Sequence, residues 1–173
     1  ENLNIRRFEK VTAEHGCVVS YIHGGGRIGV IVEADTDVVN DAVKECLSNV
    51  AMQVAALAPK YVATADVPEE YKEHEKEILM AQAQNDPKNA NKPANIIEKM
   101  ISGRLAKELK EVCLLEQAYV KDGDLTVAKY VEQVAKENGA ALSIKKFVRF
   151  ETGEGLEKKV DDFAAEVAAQ AGM

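Results

Sequence analysis

His23, followed by three glycines and an arginine, is the first place in this chain to look for chemistry. The stretch reads Ser20-Tyr21-Ile22-His23-Gly24-Gly25-Gly26-Arg27-Ile28-Gly29-Val30. An imidazole beside a glycine run suggests a catalytic base or a phosphate cradle. A cradle needs backbone N–H groups at a helix N-terminus, as in Gly-x-x-x-x-Gly-Lys-Ser/Thr. Here the glycines lead into the β-rich run Ile28–Val32, and no Lys-Ser/Thr follows. The phosphate reading fails. Two readings stay open: a tight turn with an ordinary loop histidine, or a binding loop that displays His23 and Arg27 on a backbone a partner can approach closely.

The remaining reactive residue types form no constellation. His15 precedes Gly16 and reads as a turn residue; His74 lies in a polar helical stretch. Asp161-Asp162 and Glu69-Glu70 suit helix solubility or the helix dipole. Cys17, Cys46 and Cys113 are far apart, with no Cys-x-x-Cys, so zinc and redox-motif readings fail. Each reads as a small buried hydrophobe in a reducing, cytoplasmic setting. No Ser/His/Asp or Cys/His set can be specified, so the expectation is a non-enzyme with no cofactor and no metal.

The elements that must position the loop follow from periodicity. Phe8–Ala13, Cys17–His23 and Arg27–Ala34 read as three successive antiparallel strands, with His15-Gly16 and the triple glycine as turns. Ile28, Val30 and Val32 share one face of the third run, which should pack on a helix. That helix is signalled by N-cap acceptors in Asp35-Thr36-Asp37 and by Val39, Val43, Cys46, Val50, Val54 and Leu57 at steps of three or four, with Pro59 as its stop. After a connector, Pro68-Glu69-Glu70 opens a polar helix with a thin seam of Tyr71, His74, Ile78 and Ala81. A loop around Pro87 and Pro93 leads to a third helix carrying Ile97, Met100, Ile101, Leu105 and Leu109. The pair reads as an antiparallel helical hairpin standing out from the sheet body. Val112–Val120 reads as extended, Asp122-Gly123-Asp124 as a turn, Thr126–Asn138 as a helix, Leu142–Glu151 as a strand and Leu156–Ala169 as a last helix. Phe163 and Val167 lie on one side of that last helix, against the core or a partner groove.

The expected fold class is α+β: a three-stranded antiparallel sheet packed on helices, with an inserted helical hairpin and a C-terminal helix. The expected division is 1–67 for sheet and long helix, 68–111 for the hairpin, 112–152 for the rest of the body and 153–173 for a C-terminal helical module. With 173 residues there is room for one good core. A net charge of −7 argues against nucleic acid as a partner, since such binding relies on Lys and Arg neutralising phosphates. No apolar run approaches the ~18 residues of a membrane span. The opening Glu1-Asn2-Leu3 has no apolar signal segment and no initiator Met, so the expectation is the back part of a longer protein.

Glu1-Asn2-Leu3-Asn4-Ile5-Arg6-Arg7, the Ser20–Val30 stretch, Phe147-Val148-Arg149-Phe150-Glu151 with the following Gly-Glu-Gly, and Asp162-Phe163-Ala164-Ala165-Glu166-Val167 appear in one order. Together they resemble the C-terminal part of bacterial elongation factor Ts, the guanine-nucleotide exchange factor of elongation factor Tu. The resemblance implies that the loop Tyr21–Arg27 (Tyr21, His23, Gly24, Gly25, Gly26, Arg27) and the segment Ala118-Tyr119-Val120-Lys121 grip the third domain of Tu, with Tyr119, Val120 and Lys121 among the contacts. It further implies that the last helix, through Phe163 and Val167, docks on the Tu nucleotide-binding domain. Exchange in the family is driven by a Thr-Asp-Phe-Val motif, which this sequence lacks. The expectation is a docking fragment of an exchange factor; the alternative is a self-association module that forms a homodimer.

Overall fold

The computed structural model describes residues 5–156. β1 (Cys17–His23) pairs antiparallel with β2 (Ile28–Thr36), from Cys17 opposite Ala34 to His23 opposite Ile28. The third strand comes from far down the chain: β5 (Leu142–Glu151) pairs with the other edge of β2, giving the order β1-β2-β5. Phe8–Ala13, expected as a strand, has no strand conformation. It would have paired with the outer edge of β1 across the His15-Gly16 turn. The segment is drawn instead toward β5, where Arg7 lies over the Phe150 ring and Glu9 pairs with Lys146, and the third strand joins the far edge of β2. The Leu142–Glu151 strand itself falls where its composition placed it.

Alternation along β2 turns Val30, Val32 and Ala34 to one face, where each is 1% exposed or less. Against them packs α1 (Asp41–Leu57), through Val43, Cys46, Leu47, Val50 and Val54. Each such buried side chain contributes about 1.5–3 kcal/mol relative to exposure. The helix starts later than Asp35-Thr36-Asp37 suggests. Asp35 and Thr36 extend β2 opposite Ser143 and Leu142, and the Asn40 side chain accepts from the Val43 N–H at 2.9 Å as the N-cap. Val39 therefore lies outside the helix and Leu57 at its solvent-facing end, each 48% exposed.

α2 (Glu69–Asn85) and α3 (Ala94–Val112) pack on one another as the hairpin. Their seam is shifted from the expected one. His74, Ile78 and Ala81 face solvent, and Tyr71, Glu75, Leu79 and Ala83, spaced four apart, face inward. A carboxylate in the seam hid the pattern. Glu75 meets Glu108 of α3, whose carboxyl is raised above the usual range by partial burial and by its acidic neighbour. Where the hairpin leaves the body, Tyr61 and Cys113 form a parallel bridge; the Leu114 N–H donates to the Tyr61 carbonyl and the Leu115 N–H to the Val62 carbonyl, both at 2.9 Å.

Residues 112–120 are only briefly extended. A 3₁₀ turn (Leu114–Glu116) precedes β3 (Ala118–Tyr119), which pairs with β4 (Asp122–Thr126). The tight turn is therefore at Val120-Lys121, and Asp122-Gly123-Asp124 belongs to a strand. α4 (Val127–Glu137) closes the body, capped by Thr126, with Val127 and Val131 in the core. The expected last helix, with Phe163 and Val167, lies outside the described residues. No helix among the described residues is long and apolar enough to cross a membrane.

Candidate partner-docking site

Four residues, Gly24–Arg27, close the β1–β2 hairpin. All three glycines have positive φ: +59°, +65° and +95°. That succession is costly for any residue with a Cβ. An added Cβ at Gly25 or Gly26 would meet nothing within 4 Å, so backbone handedness and not space calls for glycine there. The turn is closed by the Arg27 N–H donating to the Gly24 carbonyl at 3.4 Å. It is tied to the sheet by the Thr152 N–H donating to the Arg27 carbonyl at 2.9 Å. His23 and Arg27 stand exposed at the tip. Tyr21 is half-buried against the core, and its hydroxyl lies 3.0 Å from His23 Nδ1, so it orients the imidazole.

The second segment is built differently. Tyr119 is 5% exposed and stacks on Tyr130 of α4, with centroids 4.2 Å apart and planes 11° from parallel. Burial, followed by the neighbouring Tyr130, pushes its phenol well above the usual range. Tyr119 is thus a support, and Val120, 44% exposed, is the apolar group the turn presents. Lys121 Nζ donates to Asn49 Oδ1 at 2.7 Å. Gln53, fully buried on α1, accepts from the Val120 N–H at 2.8 Å and donates to the Ala118 carbonyl at 3.0 Å. Cys46 on the same helix lies against Tyr130, and burial raises its thiol to about 11, so it is a packing residue.

Among the described residues no group of three or more His, Cys, Asp or Glu side chains could hold a metal ion. The arrangement offers a braced, glycine-built tip that exposes His23 and Arg27, and a braced turn that exposes Val120. Residues 1–154 match the family model for Elongation factor TS. The chain belongs to the elongation factor Ts family. Elongation factor Ts of Clostridioides difficile (strain 630) is 54% identical over 170 residues, covering 98% of this chain and 54% of that protein. Elongation factor Ts of Clostridium botulinum (strain Eklund 17B) is 50% identical over 172 residues, covering 99% of this chain and 55% of that protein. The chain spans about half the length of the curated relatives it matches.

In this elongation factor Ts member, sequence reasoning placed His23 and Arg27 at a hairpin tip and missed Asn49 and Gln53. A signal for both existed. Asn49 is three residues after Cys46, and Gln53 three after Val50, so both sit on the helix's apolar side. Polar residues there need partners.

Proposed function

We propose that this chain is the docking part of a guanine-nucleotide exchange factor for elongation factor Tu, acting in the cytoplasm. The observation that carries the reading is the His23–Arg27 tip: a left-handed glycine turn, braced by Tyr21 and Thr152, that leaves an imidazole and a guanidinium exposed. Membership of the elongation factor Ts family supports Tu as the partner that receives it. On this reading the loop and the Val120 turn contact the third domain of Tu, and Phe163 and Val167 contact its nucleotide-binding domain.

The chemistry is linkage and not bond-making. A factor that binds nucleotide-free Tu more tightly than GDP-bound Tu weakens GDP binding by the same coupling free energy. Affinity and orientation come from this chain, and the absent Thr-Asp-Phe-Val motif would supply the disturbance of the nucleotide site. GDP release from Tu is therefore expected to be accelerated far less by this chain than by a full-length elongation factor Ts; equal acceleration refutes the docking-fragment reading. His23→Ala is expected to weaken binding to nucleotide-free Tu about fivefold, the effect of roughly one lost hydrogen bond. Unchanged affinity in calorimetry removes His23 from the contact set.

A second reading rests on the sheet's other face. Val18 and Ile22 are 36% and 66% exposed there, and Ile22 lines an open groove of about 380 Å³ together with Phe8, Ile31, Val148 and Phe150. An apolar face of this kind suits a second copy of the chain. Sedimentation decides between them: a stable dimer that ignores Tu favours self-association, and a monomer that binds Tu favours docking.

A further inference from the structure

We infer that Gln53 and Asn49 of α1 are positioning residues for partner docking, fixing how the 118–121 turn is presented; this rests on the docking reading above. β3 is two residues long, and its pairing with β4 shifts register between Ala118 and Tyr119. A strand that short does not hold its own shape. Gln53 supplies what a neighbouring strand would. Its amide accepts from the Val120 N–H at 2.8 Å and donates to the Ala118 carbonyl at 3.0 Å, gripping the backbone on both sides of Tyr119. The Gln53 amide also donates to Gln117 Oε1 at 3.1 Å, so both ends of the side chain are engaged. Burying an amide completely is unfavourable unless its bonds are made, and here they are made to the docking turn.

Asn49 lies one helical turn earlier on the same face. It accepts from Lys121 Nζ at 2.7 Å and donates to the Tyr130 hydroxyl at 2.8 Å, and Tyr130 stacks on Tyr119. Backbone, ring and ammonium of the turn are thus all tied to α1 and α4, and the Val120 side chain is left free. The same helix also packs on β1 and β2, which carry the His23–Arg27 tip. One helix therefore holds both docking segments at a fixed spacing. Preorganisation of that kind lowers the ordering cost of binding without adding a contact.

The test uses this chain, nucleotide-free elongation factor Tu, calorimetry and amide hydrogen exchange by NMR. Gln53→Met keeps the volume and removes the bonds. It is expected to speed exchange of the Val120 amide at least about tenfold while amides in the β2–β5 ladder keep their rates, and to weaken Tu binding about five- to tenfold. Gln53→Glu adds a signature that general destabilisation lacks. The introduced carboxyl, when protonated, accepts from the Val120 N–H and donates one of the two bonds the amide made, whereas a buried carboxylate facing the Ala118 and Gln117 oxygens donates none. The affinity of this variant, taken relative to the unsubstituted chain at each pH, is expected to recover as pH falls from 8 to 5.5. Should Gln53→Met not fold, Asn49→Ala serves, freeing Lys121 and weakening binding about threefold. Unchanged Val120 exchange in Gln53→Met, or unchanged affinity in Asn49→Ala where that variant stands in, overturns the positioning role. Faster Val120 exchange with unchanged affinity overturns the reading of 118–121 as a docking turn.

Discussion

Gly16→Ala is expected to destabilise the chain by about 3 kcal/mol or more, the range in which a single substitution reports a backbone collision. Gly16 immediately precedes β1 and has φ +104°. A Cβ at this position would lie 2.2 Å from the Ala34 carbonyl oxygen and 2.8 Å from the Thr36 nitrogen. Both neighbours are backbone, on a strand pinned by β5 on its far side, so neither can yield as a side chain would. Gly25→Ala is the informative partner. It shares the positive φ, at +65°, and has nothing within 4 Å, so only the left-handed strain of about 1–2 kcal/mol remains. Urea denaturation of the two variants separates handedness from collision. A Gly16→Ala midpoint no lower than that of Gly25→Ala contradicts the close approach of the β1 entry to β2.

The second large effect is expected at Leu114. It is fully buried in the 3₁₀ turn where the chain returns from the hairpin, within the same core as Val50, Val127 and Val131. Leu114→Ala removes that packing and leaves a cavity, a loss of about 2–5 kcal/mol. The site has little freedom to collapse. The Tyr61 carbonyl holds the Leu114 N–H at 2.9 Å, and the Val112 carbonyl holds the Lys60 and Tyr61 N–H groups at 2.8 and 3.2 Å. Leu57→Ala makes the control: an apolar residue of the same type, 48% exposed, expected to change stability by less than about 0.5 kcal/mol. Equal denaturation midpoints for the two variants contradict the placement of Leu114 in the core.

Local signals in the sequence were sufficient wherever structure is decided locally. The β1–β2 hairpin, the hairpin helices and Leu142–Glu151 all lie close to where their turn residues, prolines and periodicity put them. What escaped was decided at a distance. Phe8–Ala13 has the composition of a strand beside β1, but Arg7 and Glu9 are held by Phe150 and Lys146 of β5, more than a hundred residues away, and the third strand joins the far edge of β2. Asp35 and Thr36 look like cap residues because nothing nearby reveals that Ser143 and Leu142 draw them into the sheet. Glu75 in the helical seam and Gln53 in the core are polar residues whose partners, Glu108 and the 118–120 backbone, come from other elements. The tip at His23 was legible as a loop because three glycines in succession have few other uses. The buried brace beneath Val120 was legible only in part: spacing puts Gln53 on the apolar side of α1, but does not say which backbone its amide holds.

The strand order β1-β2-β5 also sets a clock for the newborn chain. β2 is complete at Thr36, and the strand that covers its second edge begins at Leu142. At roughly 5–20 residues per second, that edge waits on the order of 5–20 seconds before its partner has been synthesised. α1 follows within a few residues and can shelter one face, but not the row of unpaired N–H and C=O groups. The central strand of the finished sheet is therefore its most vulnerable edge during synthesis, and translation speed between Thr36 and Leu142 determines how long that edge is open to a wrong partner.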